Sequence, residues 1–174
     1  MFTIERLVRG NVRADANSTL DHPLEHLVAC HGRIEERLAI LERAAEHLED
    51  RPREARGALE SVFHYFDTSG ATHTADEEQS VFPRIAPRLT AEERAYIEAL
   101  EAQHREADAL YARIKQVPAP GEDLAAYRAD AARFCELYRG HIASENDRLI
   151  AVGKRLLAEE ELGAISREMR LRRK

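Results

Sequence analysis

The sequence predicts an all-α protein: an up-down-up-down four-helix bundle with a short extra C-terminal helix. Three observations predict it. Apolar residues recur in alternating steps of four and three along four long segments. Pro and Gly gather at the ends of those segments and are scarce inside them. The 174 residues suffice for one continuous helical core, with too little chain for a second domain of ordinary size. The bundle is expected over residues 22–157, after an N-terminal arm at 1–21 and before a short helix and basic tail at 158–174.

The first helix is expected over residues 23–50, with Asp21 as its cap and Pro23 in its first turn, where no N–H is missed. Its stripe reads Leu27, His31, Ile34, Leu38, Leu41, Ala45 and Leu48. A second helix over 53–84 carries Leu59, Phe63, Phe66, Gly70, His73, Glu77 and Val81, with a bend at "DTSG" and a close at Pro83 and Pro87. Thr90 and Glu93 form the capping box of a third helix, whose stripe is Ile97, Leu100, His104, Ala107, Tyr111 and Ile114. After the loop "QVPAPGED", the fourth begins near Asp123 and runs Leu124, Tyr127, Ala131, Phe134, Tyr138, His141, Glu145, Leu149, Val152 and Leu156. Stripes of this kind on short loops bury one another in an antiparallel bundle. Leu162, Ile165 and Met169 of "EEELGAISREM" dock the last helix, and "RLRRK" is expected as a solvated, frayed end.

Composition narrows the partners. A formal charge of −6 leaves no excess of positive charge to displace counterions from phosphates, so no nucleic-acid partner is expected. No segment approaches the ~20 consecutive apolar residues of a spanning helix, and the first twenty residues lack the apolar run of a signal peptide, so no membrane partner is expected either. Cys30 and Cys135 make no C-x-x-C ligand spacing and read as small buried hydrophobes. Free thiols without a leader or anchor point to a cytoplasmic protein.

Six positions on the apolar stripes are polar: His31, His73, Glu77, His104, His141 and Glu145. Burying carboxylates and unpaired imidazoles costs several kcal/mol each, so six in one interior need common partners. Depth tests whether they meet. At about 1.5 Å per residue, His31 lies roughly 13 Å from the start of its helix and Glu77 about 15 Å from the end of its own; His104 and Glu145 fall about 20 Å from the same end of the bundle. The four positions define one layer. Two H-x-x-x-E pairs, His73 with Glu77 and His141 with Glu145, each place imidazole and carboxylate one turn apart on one face. Two carboxylates can bridge two metal ions while histidines complete the coordination, and such donors suit iron, manganese or zinc. His22, His26, His47 and His64 fall off the layer and read as solvated or capping residues; Glu35 and Glu78 read as exposed. A ferritin-like centre would need a second E-x-x-H motif beside "EAQH", and there is none.

Four stretches, "LVACHGRIEERLAIL", "HTADEEQSVFP", "LEAQHREADALY" and "YRGHIASEND", resemble the hemerythrin-like proteins, the HHE cation-binding domain, over about residues 22 to 157. The resemblance implies a four-helix bundle around a non-haem di-iron centre of two ions, bridged by both carboxylates and an oxo or hydroxo group. By that analogy His31 and His73 serve one iron, His104 and His141 the other. Members bind oxygen reversibly, sense oxygen or iron, or meet nitric oxide and peroxide. This chain departs from the pattern on its third helix, where hemerythrins proper carry two histidines and it offers His104 alone. Thr74 stands where some relatives place an extra ligand. Asp108, the phenol of Tyr138 and water are the candidates to complete that shell, and an altered shell changes redox potential and open coordination sites. The expectation is a metal-binding protein for oxygen or a related diatomic or peroxide ligand. Two alternatives stand beside it: a di-iron enzyme turning over peroxide or nitric oxide, and a zinc-bound or metal-free bundle acting through partners.

Overall fold

The computed structural model describes residues 19–174; most of the expected N-terminal arm, residues 1–18, lies outside them. Among the described residues there is no strand. Helix α1 is Pro23–Glu46, α2 runs over residues 52–85, α3 is Ala91–Ile114, α4 runs over 125–156, and α5 is Glu159–Arg172. Helix α1 packs on α2 and α4, α3 on α4, and α5 lies across α1 and the middle of α2.

The helix ends follow from local chemistry. Pro23 and Pro52 open α1 and α2 at positions whose N–H needs no partner. Asp21 does not cap α1: His22 is the residue before the first turn, and the Asp21 carboxylate accepts from Arg170 Nη2 at 2.6 Å. Helix α1 also stops four residues short of the expected Asp50, because His47 turns back to donate from Nδ1 to Asp50 Oδ1 at 3.1 Å. Pro83 enters the last turn of α2 without ending it, and the chain leaves the helix through a 3-10 turn, Ala86–Arg88. The Thr90–Glu93 capping box is reciprocal, with Glu93 N–H on Thr90 Oγ1 at 3.2 Å and Thr90 N–H on Glu93 Oε2 at 2.9 Å. Gly121, with φ of +91°, turns the loop before α4.

Helices α2 and α4 are interrupted by wider, π-helical turns rather than by bends. Phe66–Gly70 holds the "DTSG" segment, and Ala71 N–H reaches the Phe66 carbonyl. Glu77–Val81 and Glu145–Leu149 begin at the two stripe carboxylates, with Phe82 N–H on the Glu77 carbonyl and Ile150 N–H on the Glu145 carbonyl.

The apolar interior falls into two clusters. One holds Ile34, Phe66, Ala107 and Phe134, and the other Leu27, Val81, Leu100 and Leu149. On every helix of the bundle the polar stripe residues come between a member of the first and a member of the second. The polar layer is therefore a slab between two apolar clusters.

Helix α5 does more than the sequence suggests. Ile165 and Met169 are fully buried as expected, but the basic tail is not a frayed end. The helix continues to Arg172, and Arg172 and Arg173 close on Asp76, a carboxylate with no exposed surface, at 2.8 and 2.5 Å. Arg172 also donates to Ser80 Oγ at 2.8 Å, and Glu168 pairs with Arg84 at 2.6 Å. Docking of α5 also covers His26, expected at the surface and found 1% exposed. The reason is a second buried face on α1 and α2, outside the four-helix core, that a bundle period alone does not reveal.

Candidate metal centre

His31 comes from α1, His73 and Glu77 from α2, His104 from α3, and His141 and Glu145 from α4, and all six are buried. Their possible donor atoms form two groups, each within 4.8 Å: His31, His73, Glu77 and Glu145 in one, and Glu77, His104, His141 and Glu145 in the other. The two carboxylates are common to both. His73 Nε2 stands 3.1 Å from Glu77 Oε1 and His141 Nε2 3.2 Å from Glu145 Oε1. Across helices, His31 Nε2 is 3.2 Å from Glu145 Oε2, and His104 Nε2 is 3.5 Å from Glu77 Oε2.

Outer hydrogen bonds fix three of the four rings. His31 Nδ1 meets Asn146 Oδ1 at 2.7 Å, His104 Nδ1 meets Glu78 Oε1 at 2.8 Å, and His141 Nδ1 meets Gln103 Oε1 at 2.9 Å. Oxygens of this kind accept, so each Nδ1 is the donor and each Nε2 is turned to the centre, free to give a lone pair once it carries no proton. Asn146, Glu78 and Gln103 are the functional residues that the stripe reading missed. Each adjoins a stripe donor in sequence and serves a histidine on a different helix: Glu78 follows Glu77, Asn146 follows Glu145, and Gln103 precedes His104. A polar residue beside a candidate ligand was the available signal. His73 differs, for its Nδ1 has no hydrogen-bond partner among the described residues.

A cation fits this donor set. His104 Nε2 and His141 Nε2 lie 3.0 Å apart, and with both Nδ1 atoms already donating, two lone pairs face the same space. All four oxygens of Glu77 and Glu145, and His31 Nε2, are buried without a hydrogen bond among the described residues. Leaving buried carboxylates unpaired is strongly unfavourable. A positive ion between the lone pairs satisfies nitrogen and oxygen together.

Electrostatics bear the same mark. Burial, reinforced by the Glu145 carboxylate, raises Glu77 well above the usual carboxylate range. Burial opposes ionisation of Glu145 as well, but His141 and His31 hold it below that range. Burial disfavours the charged form of His31, yet Glu145 and Glu77 outweigh it and push the ring up to about 10. His73 goes the other way, driven well down by burial and by the charge of His31. A site that splits like groups in opposite directions is unbalanced in its own charges.

The two further candidates stand apart from these groups. Asp108 is exposed and belongs to neither. The Tyr138 ring lies 6.2 Å from that of His141, and burial, with Asp108 and the two central carboxylates, raises its phenol. Both residues line a cavity of about 420 Å³, together with Thr74 and Glu78. Of the remaining histidines, His22 and His64 are exposed and His47 half-buried.

Residues 22–152 match the model of the hemerythrin HHE cation binding domain. A Haemophilus influenzae protein described as an uncharacterized protein is 25% identical over 163 residues, which cover 90% of this chain and 92% of the relative.

Proposed function

Because the chain belongs to the hemerythrin HHE cation binding domain family, we propose that it is a non-haem di-iron protein that binds or senses oxygen or a related small molecule, nitric oxide or peroxide. The observation that carries the reading is the pair of four-donor groups sharing Glu77 and Glu145. His31 and His73 would hold one ion and His104 and His141 the second, with Glu77 and Glu145 available to both. Nitrogen and oxygen donors without a thiolate suit iron; manganese and zinc accept the same set. When bound, the metals would supply redox-active, electron-poor centres for a small ligand.

The protein's own residues set how that ligand arrives. The Thr74, Glu78, Asp108 and Tyr138 cavity adjoins the His104 and His141 half, so the small molecule approaches there. Glu78 accepts a hydrogen bond from His104 Nδ1 and fixes that ring, while Gln103 fixes His141. Phe66 and Phe134, which also line the cavity, limit the water that accompanies the ligand.

A second reading, turnover of peroxide or nitric oxide, is favoured by the same cavity, because its wall carries Glu78, Asp108 and the Tyr138 phenol as groups able to move a proton. Neither reading calls for a nucleic acid or a membrane. Two free buried thiols support a reducing, cytoplasmic setting, and no helix among the described residues is long and apolar enough to cross a membrane.

Metal analysis of the purified protein, with absorption spectra after anaerobic reduction and return to air, tests the proposal. About two irons per chain and a reversible spectral change are expected; fewer than about one iron per chain overturns the di-iron assignment. Reversible, stoichiometric binding identifies a carrier or sensor. Catalytic turnover abolished by Glu145→Ala identifies an enzyme.

A further inference from the structure

A second cavity, of about 550 Å³, lies between α1, the Phe66–Gly70 turn region of α2 and the end of α5. Its wall inverts the character of the chain. The protein carries 32 acidic and 26 basic side chains, yet this wall holds Arg33, Arg172, Arg173 and Lys174 and no acidic residue. Arg172 and Arg173 share the single carboxylate of Asp76 behind them. Arg33 donates to the Cys30 sulfur at 3.0 Å, and among the described residues neither Arg33 nor Lys174 meets an Asp or Glu carboxylate. Positive charge here exceeds what the protein neutralises.

The second observation is independent of charge. His26 lines the same cavity, is 1% exposed, and spends Nδ1 on Thr19 Oγ1 at 2.8 Å. Its Nε2 has no hydrogen-bond partner among the described residues. A buried polar atom in that condition calls for a partner, and the cavity is the space left to hold one. The hydroxyls of Thr68 and Thr72 already donate to backbone carbonyls, which leaves Ser69 and the phenol of Tyr65 as the hydroxyl donors among the wall residues.

We propose that this cavity binds a small phosphate-bearing anion, inorganic phosphate or a phosphate monoester, with Arg33 and Lys174 as its counter-charges and Ser69 and His26 Nε2 completing the hydrogen bonds. Phosphate fits better than a carboxylate for two reasons. It offers oxygens to several donors at once, which the guanidinium fork of Arg33 matches. A hydrogen phosphate can both donate and accept, so it meets His26 Nε2 in either imidazole tautomer, whereas a carboxylate can only accept. The volume exceeds that of the ion, leaving room for the organic part of a monoester beside Tyr65, another wall residue. The site is separate from the metal donors and does not depend on their metal.

Calorimetric titration of the full-length protein, as purified and at constant ionic strength, tests this with three probes: inorganic phosphate, adenosine 5′-monophosphate, and vesicles containing phosphatidic acid. Saturable one-to-one binding of phosphate or the monophosphate is expected. Arg33→Gln should weaken it at least about tenfold, and Ser69→Ala, at an exposed position, by a smaller factor, with metal content and absorption unchanged. Undiminished affinity in both variants would put the phosphate elsewhere and overturn the assignment. So would the absence of saturable binding, or binding to vesicles alone.

Discussion

The His31 and His73 half of the centre and the His104 and His141 half are alike in donors and unlike in what stands behind them. In the first, His31 leans on the neutral amide of Asn146 and His73 Nδ1 has no partner among the described residues. In the second, both rings are held from outside, His104 by a carboxylate and His141 by an amide. A carboxylate behind an imidazole makes it a more basic ligand and fixes its orientation. The side chain of Glu78 is 39% exposed and stands in the wall of the cavity. The first half thus has one outer partner, a neutral amide, and the second has two, one of them a carboxylate in the cavity wall. Under the proposed function, ligand exchange falls to the second half.

The largest test removes what the halves share. Glu77→Ala takes a donor from both groups, and metal content measured by mass spectrometry should fall from about two ions per chain to near none. His104→Ala takes a donor from the second group only and should leave about one ion. If it empties the site as fully as Glu77→Ala, the halves are not separable.

Acid should act on both halves at once. Protons compete with metal for imidazole and carboxylate, so metal is released as pH falls. Stability measurements in acid also carry a contribution unrelated to metal. Burial, aided by Arg173, Arg33 and Arg170, lowers His26 to about 4. Its folded pKa lies below the unfolded value of about 6.5, so the stability it contributes is complete above pH 6.5 and is lost as pH falls towards 4. The loss is at most about 3 kcal/mol. Denaturant melts at pH 7 and pH 5 should show part of it in the metal-free protein, and a pH-independent midpoint would contradict it.

The smallest effects compare the two outer shells directly. Glu78→Gln should cost roughly 10- to 100-fold in affinity for the second ion, read by competition with a chelator. Asn146→Ala, which removes a neutral partner from the first half, should cost less. The reverse order would exchange the roles of the two halves.

The bundle and the six donors were legible because burial at a fixed period is written along the chain. His31, His73, His104 and His141 stand at the phase of Leu27, Phe66, Leu100 and Phe134, and a polar residue at that phase stands out. Glu78, Gln103 and Asn146 were hidden for the converse reason. One residue from a donor is a rotation of about 100°, enough to leave the stripe while still reaching the ring on the next helix. His26 and Asp76 escaped because they face α5, and a four-helix period has no place for a fifth element. The wide turns at Glu77 and Glu145 were invisible in principle, since an apolar pattern counts residues and not the hydrogen bonds between them.

Those two wide turns give α2 and α4 a join rather than a continuous thread. Each lodges one surplus residue immediately after a carboxylate common to both donor groups, so the two stretches of helix on either side need not keep a common phase. Chain length beyond the centre can therefore vary by a residue without turning the donors away from one another. The half of the bundle around Leu27, Val81, Leu100 and Leu149 is geared to the metal layer through a slip joint on both α2 and α4, while the half around Ile34, Phe66, Ala107 and Phe134 meets one only on α2, at Phe66–Gly70, and keeps an unbroken phase with the layer on α4.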